Sequence, residues 1–257
     1  MRPRLAYRPG QTALHRAHPL VKAAALVFGS VFVFVAPSPW AVAGTVAVVV
    51  LAFPLLGLPL REVRGLRLFV LTAALLGGLQ LWFVDNGAAL FVLGPWTCTD
   101  EGVAAGGTIA GRFLAVIGLS VLFVWTTDPN RLAYALMQWG LPYRLGFALV
   151  TALRLAATFE GEAQQVYRAR LVRGARLDVR SPLRWPRLAR GFALPLLVGA
   201  LRRVDGLAIS MEGRCFGKYP TRSFLTPVRT GAGDVALLLL LALALVGTVF
   251  WRLGWPG

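Results

Sequence analysis

Apolar positions gather in five long runs, 20–35, 41–58, 66–84, 103–125 and 235–250, parted by proline-marked or charged breaks. A helix needs about 20 mostly apolar residues to cross hydrocarbon, so each run predicts a membrane span. A sixth apolar piece, 88–96, is too short to span and is expected to be re-entrant or interfacial. The stretch 127–232 is patterned differently. Over 143–173, Leu145, Leu149, Ala152, Ala156, Phe159, Ala163 and Val166 recur at spacings of three and four, opposite Arg144, Thr151, Arg154, Thr158, Glu162 and Gln165. That spacing predicts one long amphipathic helix. A second is predicted over 193–215, with Leu194, Leu197, Leu201, Val204, Ala208 and Met211 as its stripe. Between them lies a basic, proline-marked link, 175–190. The expected fold is an all-α polytopic membrane protein with about five transmembrane helices. Its expected parts are a four-span bundle (1–126), an amphipathic region on the cytoplasmic side (127–232) and a last transmembrane helix (233–257).

Composition agrees. The chain is 57% hydrophobic and 15% charged, too little charge to cover a soluble surface. Residues 1–19 are polar and basic, with no apolar core of a cleavable signal peptide, so the run at 20–35 is expected to remain in the mature chain. The 27 basic residues against 11 acidic ones give a net charge of +16. Their placement sets an expected orientation. Arg2, Arg4, Arg8, Arg16 and Lys22 precede or open the first run, and Arg61, Arg64 and Arg67 lie between the second and third. The 85–102 connection carries Asp85, Asp100 and Glu101 and no basic residue. From 168 to 229 there are fourteen basic residues against three acidic ones. Basic loops stay in the cytoplasm, which places the N-terminus inside and the C-terminus outside the cell membrane. Contact with anionic lipid accounts for part of the basic excess.

Catalytic patterns are missing. Gly213-Arg-Cys-Phe-Gly217-Lys218-Tyr219 has one residue too few between its glycines for a P-loop, and Tyr where Ser or Thr must hold the metal. No HExxH or GxSxG motif occurs. Cys98 and Cys215 form no framework. His15 and His18 stand at i and i+3, which reads as a solvated pre-membrane segment rather than a metal site. Arg112 lies inside the fourth run. Two readings stay open: an intramembrane functional charge, or an arginine that satisfies a neighbouring polar group. Gly107 and Gly111 in the same run form a GxxxG pair that allows close helix contact.

Two stretches share a layout, an amphipathic helix ending in Arg beside a small residue: Val172-Arg173-Gly174 and Gly213-Arg214-Cys215. They resemble the Ala-Arg-Gly-like triplets that end two coupling helices in the transmembrane T component of energy-coupling factor transporters, the CbiQ/EcfT-type family. His15-Arg-Ala-His-Pro-Leu-Val-Lys22, Glu101-Gly102 and Thr127-Asp-Pro-Asn-Arg-Leu-Ala-Tyr-Ala-Leu followed by Gly140-Leu-Pro142 are similar to that family in the same order. The resemblance covers about residues 11–225. Val172 replaces Ala in the first triplet, while Gly213 and Cys215 replace Ala and Gly or Ser in the second.

The resemblance implies a non-catalytic subunit of an ABC-type importer. Such a subunit needs no cofactor of its own, because ATP is used by two cytosolic ATPase subunits. Each triplet arginine would engage one ATPase. A small membrane-embedded S component would bind the solute, a vitamin or a transition-metal ion. Gly199, Ala200, Gly206 and Ala208 leave room on the second amphipathic helix for the other coupling helix or the S component. No nucleic-acid partner is expected. The rival readings are the permease subunit of another ATP-driven transporter and a membrane-anchored basic scaffold.

Overall fold

A computed structural model describes residues 10, 12–36, 38–58, 65–83, 89–93, 96–174, 185–218 and 230–254. The helices are α1 (Ala13–Arg16), α2 (Pro19–Val35), α3 (Pro39–Leu55), α4 (Leu66–Phe83), α5 (Asp100–Thr126), α6 (Pro129–Gln138), α7 (Tyr143–Val172), α8 (Trp185–Gly213) and α9 (Ala232–Gly254). Strands β1 (Ala89–Leu93) and β2 (Trp96–Thr99) stand between α4 and α5. The chain forms two compact units, 1–136 with 228–257, and 137–227.

In the first unit the helix ends follow from local chemistry. His18 and Ser38 sit in extended backbone before Pro19 and Pro39, and their side chains accept from the amides of Leu20 and Trp40. Proline at the first helical position loses nothing, since that amide has no intrahelical partner. α3 ends at Gly57, with φ +67°. The Leu58 amide bonds the Phe53 carbonyl (2.9 Å) and the Gly57 amide bonds that of Pro54 (3.0 Å). This is a Schellman closure with glycine at its left-handed position. Thr99 caps α5 through the Gly102 amide (3.2 Å), and Asp100 and Glu101 face the positive end of that helix.

α5 is the hub. Gly106 of α5 and Gly77 of α4 bring their backbones together: a Cβ on Gly106 would stand 2.5 Å from the Gly77 carbonyl oxygen. Val42 of α3 packs onto Gly111, and Val49 onto Gly118. The GxxxG pair is therefore only half used. Gly111 is a contact, but nothing lies within 4 Å of where a Cβ on Gly107 would be, and the contact with α4 falls one residue earlier. Val49, Phe53, Leu58, Leu122 and Trp125 form one buried cluster, with Phe53 edge-on to Trp125 at 6.1 Å. Val33, Ala36, Val42 and Ala115 form another. Outside these clusters the helices are apolar and uncovered. Phe34, Leu51, Leu71, Leu239 and Leu243 are all more than half exposed. Large apolar side chains facing outward on every long helix of this unit belong in hydrocarbon, and the chain is an all-α membrane protein. α5 and α9 are long and apolar enough to cross a bilayer, while α2, α3 and α4 are shorter apolar helices.

The apolar piece at 88–96 adds a strand pair that the sequence reading did not include. Its described residues belong to an antiparallel hairpin in which Leu93 pairs with Trp96 and Phe91 with Cys98. A hairpin satisfies its backbone groups across the two strands, so so short a segment needs no helix.

The histidines are a second correction. His15 and His18 are buried, at 6% and 7% exposure, not solvated. The His18 amide donates to Asp234 Oδ1 (3.2 Å), and Asp234 Oδ2 accepts from Gly231 (2.9 Å). His15 Nδ1 meets Thr12 Oγ1 at 2.6 Å. Lys22, also buried, donates to the carbonyls of Thr126 (2.9 Å) and His15 (3.3 Å). The starts of α2 and α9 and the end of α5 are thus tied at one end of the unit. Among the described residues no group of three potential metal ligands occurs.

Arg112 is accounted for in the same terms. Its Nε donates to the Val33 carbonyl and Nη2 to that of Ala36, both at 3.2 Å. The Val33 carbonyl would ordinarily receive the amide of residue 37, but that residue is proline and has none. The guanidinium fills the missing bond and places a cation at the negative end of α2. Of the two readings, the arginine that satisfies a neighbouring polar group is the one observed.

Candidate functional site

The second unit is an antiparallel pair of long helices. Three contacts set its direction. Phe216, just past α8, packs against Phe147 and Tyr143 at the start of α7, with ring centroids 4.6 and 5.8 Å apart. Arg203 donates to Glu162 near the middle. Tyr167 near the end of α7 meets Phe192 near the start of α8 at 6.3 Å. Before α7, the chain reverses at Gly140 (φ +119°), and the Met137 side chain lies over the backbone of Gly146.

This pairing divides the predicted apolar stripe of α7. Leu145, Leu149, Ala152 and Ala156 are exposed, whereas Tyr143, Gly146, Phe147, Val150, Thr158, Phe159, Glu162 and Ala163 are at least half covered. Thr158 and Glu162 had been placed on the opposite face. The ion pair and the aromatic rings of the neighbouring helix set the covered side, which takes in Phe159, Ala163 and Val166 of the stripe and leaves Leu145, Leu149, Ala152 and Ala156 outward. On α8 the expected stripe is present, and Leu194, Leu197, Leu201 and Val204 are each at least half exposed.

The two triplets occupy equivalent stereochemical positions. Arg173 is the C-cap of α7. Its amide bonds Ala169 (3.3 Å), and the next residue, Gly174, turns left-handed at φ +73° with its amide on Leu171 (3.0 Å). After α8, Cys215 is left-handed at φ +53°. Its amide bonds Glu212 (2.9 Å), and that of Phe216 bonds Met211 (3.0 Å). This is the Schellman pattern again, with Arg214 at the C-cap. In each triplet the arginine is the last residue before the chain leaves the helix, and the residue after it makes the left-handed turn. Glycine adopts that turn freely, whereas a side chain there costs about 1 kcal/mol or more. Cys215 is the only described non-glycine with positive φ. Cys215→Gly should therefore stabilise the α8 end by about 1 kcal/mol, read as a raised Tm of the purified protein. A lowered Tm would show that the thiol contributes more than the strain it imposes.

Val172, Arg173, Gly174, Gly213, Arg214 and Cys215 are all exposed. Because the helices run antiparallel, the two arginines stand at opposite ends of the pair. Arg214 lies beside the start of α7 and Arg173 at its end, about 40 Å apart at 1.5 Å per residue. Their settings differ. Phe216 fastens the Arg214 turn to α7, whereas a Cβ on Gly174 would meet nothing within 4 Å. Of the four small residues of α8, Gly199 and Ala200 are half covered, and Gly199 lies against Glu162, where a Cβ would stand 3.6 Å from Oε2. Gly206 and Ala208 are exposed, and Gly206 has open space around it. Arg112 belongs to the other unit and is not part of this site.

What sequence reasoning did not find was the Phe216–Tyr143–Phe147 clasp and the Glu162–Arg203 pair. Each joins residues 41 or more positions apart, beyond the reach of helical periodicity. The signal for the first was present as an aromatic beside each helix terminus.

Known proteins resemble this chain over most of its length. A family model described as cobalt transport protein, CbiQ, matches residues 10–225. The energy-coupling factor transporter transmembrane protein EcfT of Thermosediminibacter oceani is 28% identical over 97% of both chains. The protein of the same name in Listeria innocua is 30% identical over 95% of this chain and 96% of its own. A putative ABC transporter ATP-binding protein of Bifidobacterium longum is 27% identical over 88% of this chain but only 30% of its own longer one. With a match that covers most of its length and includes both arginine turns, the chain belongs to the CbiQ cobalt transport protein family.

Proposed function

We propose that this chain is the multi-pass transmembrane coupling subunit of an energy-coupling factor importer, and that Arg173 and Arg214 each engage one of two cytosolic ATPase subunits. The observation that carries the proposal is the pair of exposed C-cap arginines at opposite ends of one antiparallel helix pair. Arginine makes bidentate, charge-assisted bonds to carboxylates. A spacing of about 40 Å between them suits two partners rather than one. The Bifidobacterium relative is named an ATP-binding protein, and the segment like this chain is under a third of it. That name supports an ATPase as the partner, with hydrolysis residing there. The outward apolar stripes and the small residues Gly206 and Ala208 of α8 are offered to a small membrane-embedded S component that binds a vitamin or a transition-metal ion.

Coexpression of the tagged chain with candidate ATPases and a small membrane protein tests the reading. A complex holding two ATPase subunits per chain is expected, and solute uptake should need all partners. Recovery of the chain with neither partner would refute it.

Gly206→Leu separates packing from charge. No neighbour in the chain obstructs the new side chain, so folding should survive. Assembly with the S component, or transport, should fall well below that of Arg202→Ala. Normal transport and stoichiometry in the leucine variant would sink the close-packing role.

The orientation proposed is N-terminus inside, five crossings and C-terminus outside the cell membrane. The polar ties that bring the starts of α2 and α9 to the end of α5 support the crossing pattern, because in that order those three ends share one side, and the basic loops assign that side to the cytoplasm. Cys215 is exposed and should be spared by a membrane-impermeant thiol reagent on intact cells, then react once the membrane is opened. Labelling from outside would reverse the assignment.

A further inference from the structure

Helices α2, α3, α5 and α9 line a cavity of about 370 Å³ that is open to its surroundings and has Leu14, Lys22 and Thr126 in its wall. Its wall is apolar almost throughout, and the few polar groups in it are already engaged. The Thr45 hydroxyl bonds the Ala41 carbonyl (2.7 Å), that of Thr126 bonds Leu122 (2.6 Å), and Lys22 donates to Thr126 and His15. A cavity of this kind does not hold water, which needs two to four polar partners, and takes apolar ligands instead. The helices that form it expose large apolar side chains on their outer faces, among them Val27, Phe34, Leu51 and Leu239, so the medium at its mouth is hydrocarbon.

Dimensions choose the occupant. Along α2 the wall runs from Lys22 to Phe32, about 15 Å at 1.5 Å per residue, which is half of the ~30 Å hydrocarbon core. A transmembrane helix spans the whole of that core, about twice the length of this wall. We infer that the cavity is a binding site for one acyl chain of a phospholipid from the leaflet at the Lys22–Asp234 end, seated between α9 and the face formed by α3 and α5. α9 reaches the rest of the unit by packing on α2 and through the Asp234 tie to His18. The chain therefore completes the contact between α9 and the bundle.

The test uses the full chain in nanodiscs of phosphatidylcholine and phosphatidylglycerol, doped with phosphatidylglycerol bearing a mid-chain diazirine. After irradiation, adducts are mapped by mass spectrometry. Adducts on the inward Leu237 and Leu241 of α9 and Leu119 of α5 should exceed those on the outward Leu239 and Leu243 several-fold. Ala25→Phe, which fills the cavity from the α2 wall, should lower the inward adducts at least five-fold and leave the outward ones unchanged. Ala244→Phe, entering from α9, should do the same, and Ala43→Phe on the exposed face of α3 should change neither. The outward adducts report that each variant remains inserted. Inward adducts no more frequent than outward ones in the wild type, or inward adducts that persist in both filled variants, would overturn the site.

Discussion

Arg112→Glu should remove at least about 4 kcal/mol from the membrane-embedded unit, enough to abolish its accumulation as a folded protein. The reasoning runs through what the guanidinium touches. It supplies the carbonyls of Val33 and Ala36, and an unsatisfied buried acceptor costs about 1–3 kcal/mol. A carboxylate there would leave both carbonyls without donors and add a like-signed charge at the negative end of α2. Arg112→Leu is expected to be milder, because two effects oppose each other. The same carbonyls are lost, but a charge costing roughly 3 kcal/mol in hydrocarbon is also removed. Arg112→Gln keeps donors without charge and should be mildest. Thermal unfolding of the three purified variants gives the order. A glutamate variant as stable as wild type would mean that the two bonds contribute nothing.

The apolar helices were legible because burial in lipid and burial in protein both demand apolar runs of helical length. For the same reason the sequence could not tell which apolar face meets protein. Leu145 and Leu149 have the spacing of a core stripe and are exposed, while Glu162 is covered because Arg203 lies opposite. His15 and His18 looked solvated, with basic residues around them and no apolar run before them. His18 is held by a bond to Asp234, 216 positions beyond it. The strand pair 89–93 and 96–99 escaped notice because apolar runs so short fit strand and helix alike, although Gly94-Pro95 between them is a turn signal in the sequence. The arginine triplets were legible as helix ends from the resemblance and from Gly174. Cys215 concealed that the second turn is the same as the first, since a thiol is not a residue expected at left-handed φ.

The two triplet arginines carry the other large effect. Each stands exposed at a helix terminus, on a turn whose geometry depends on backbone bonds and not on the guanidinium. Reversal to Glu should therefore leave the fold intact. At an interface, truncating one partner of a desolvated charged pair costs about 2–5 kcal/mol, and reversal at least as much. That corresponds to a 30-fold or greater loss of ATPase affinity for either single reversal, and to complete loss for the double. Arg168, about one turn before the α7 triplet, and Arg202, in the interior of α8, are exposed outside the triplets and change the net charge equally when reversed. They should cost far less, as rim charges in water do.

Pull-down of ATPase subunits by the tagged full-length chain, at fixed salt, tests the coupling role most directly. Arg173→Glu and Arg214→Glu should each retain a small fraction of the ATPase held by wild type, the double reversal none, and Arg168→Glu and Arg202→Glu nearly all. Equal losses across the four single reversals would reduce the effect to diffuse electrostatics and contradict the assignment of the two helix-end arginines as the coupling residues.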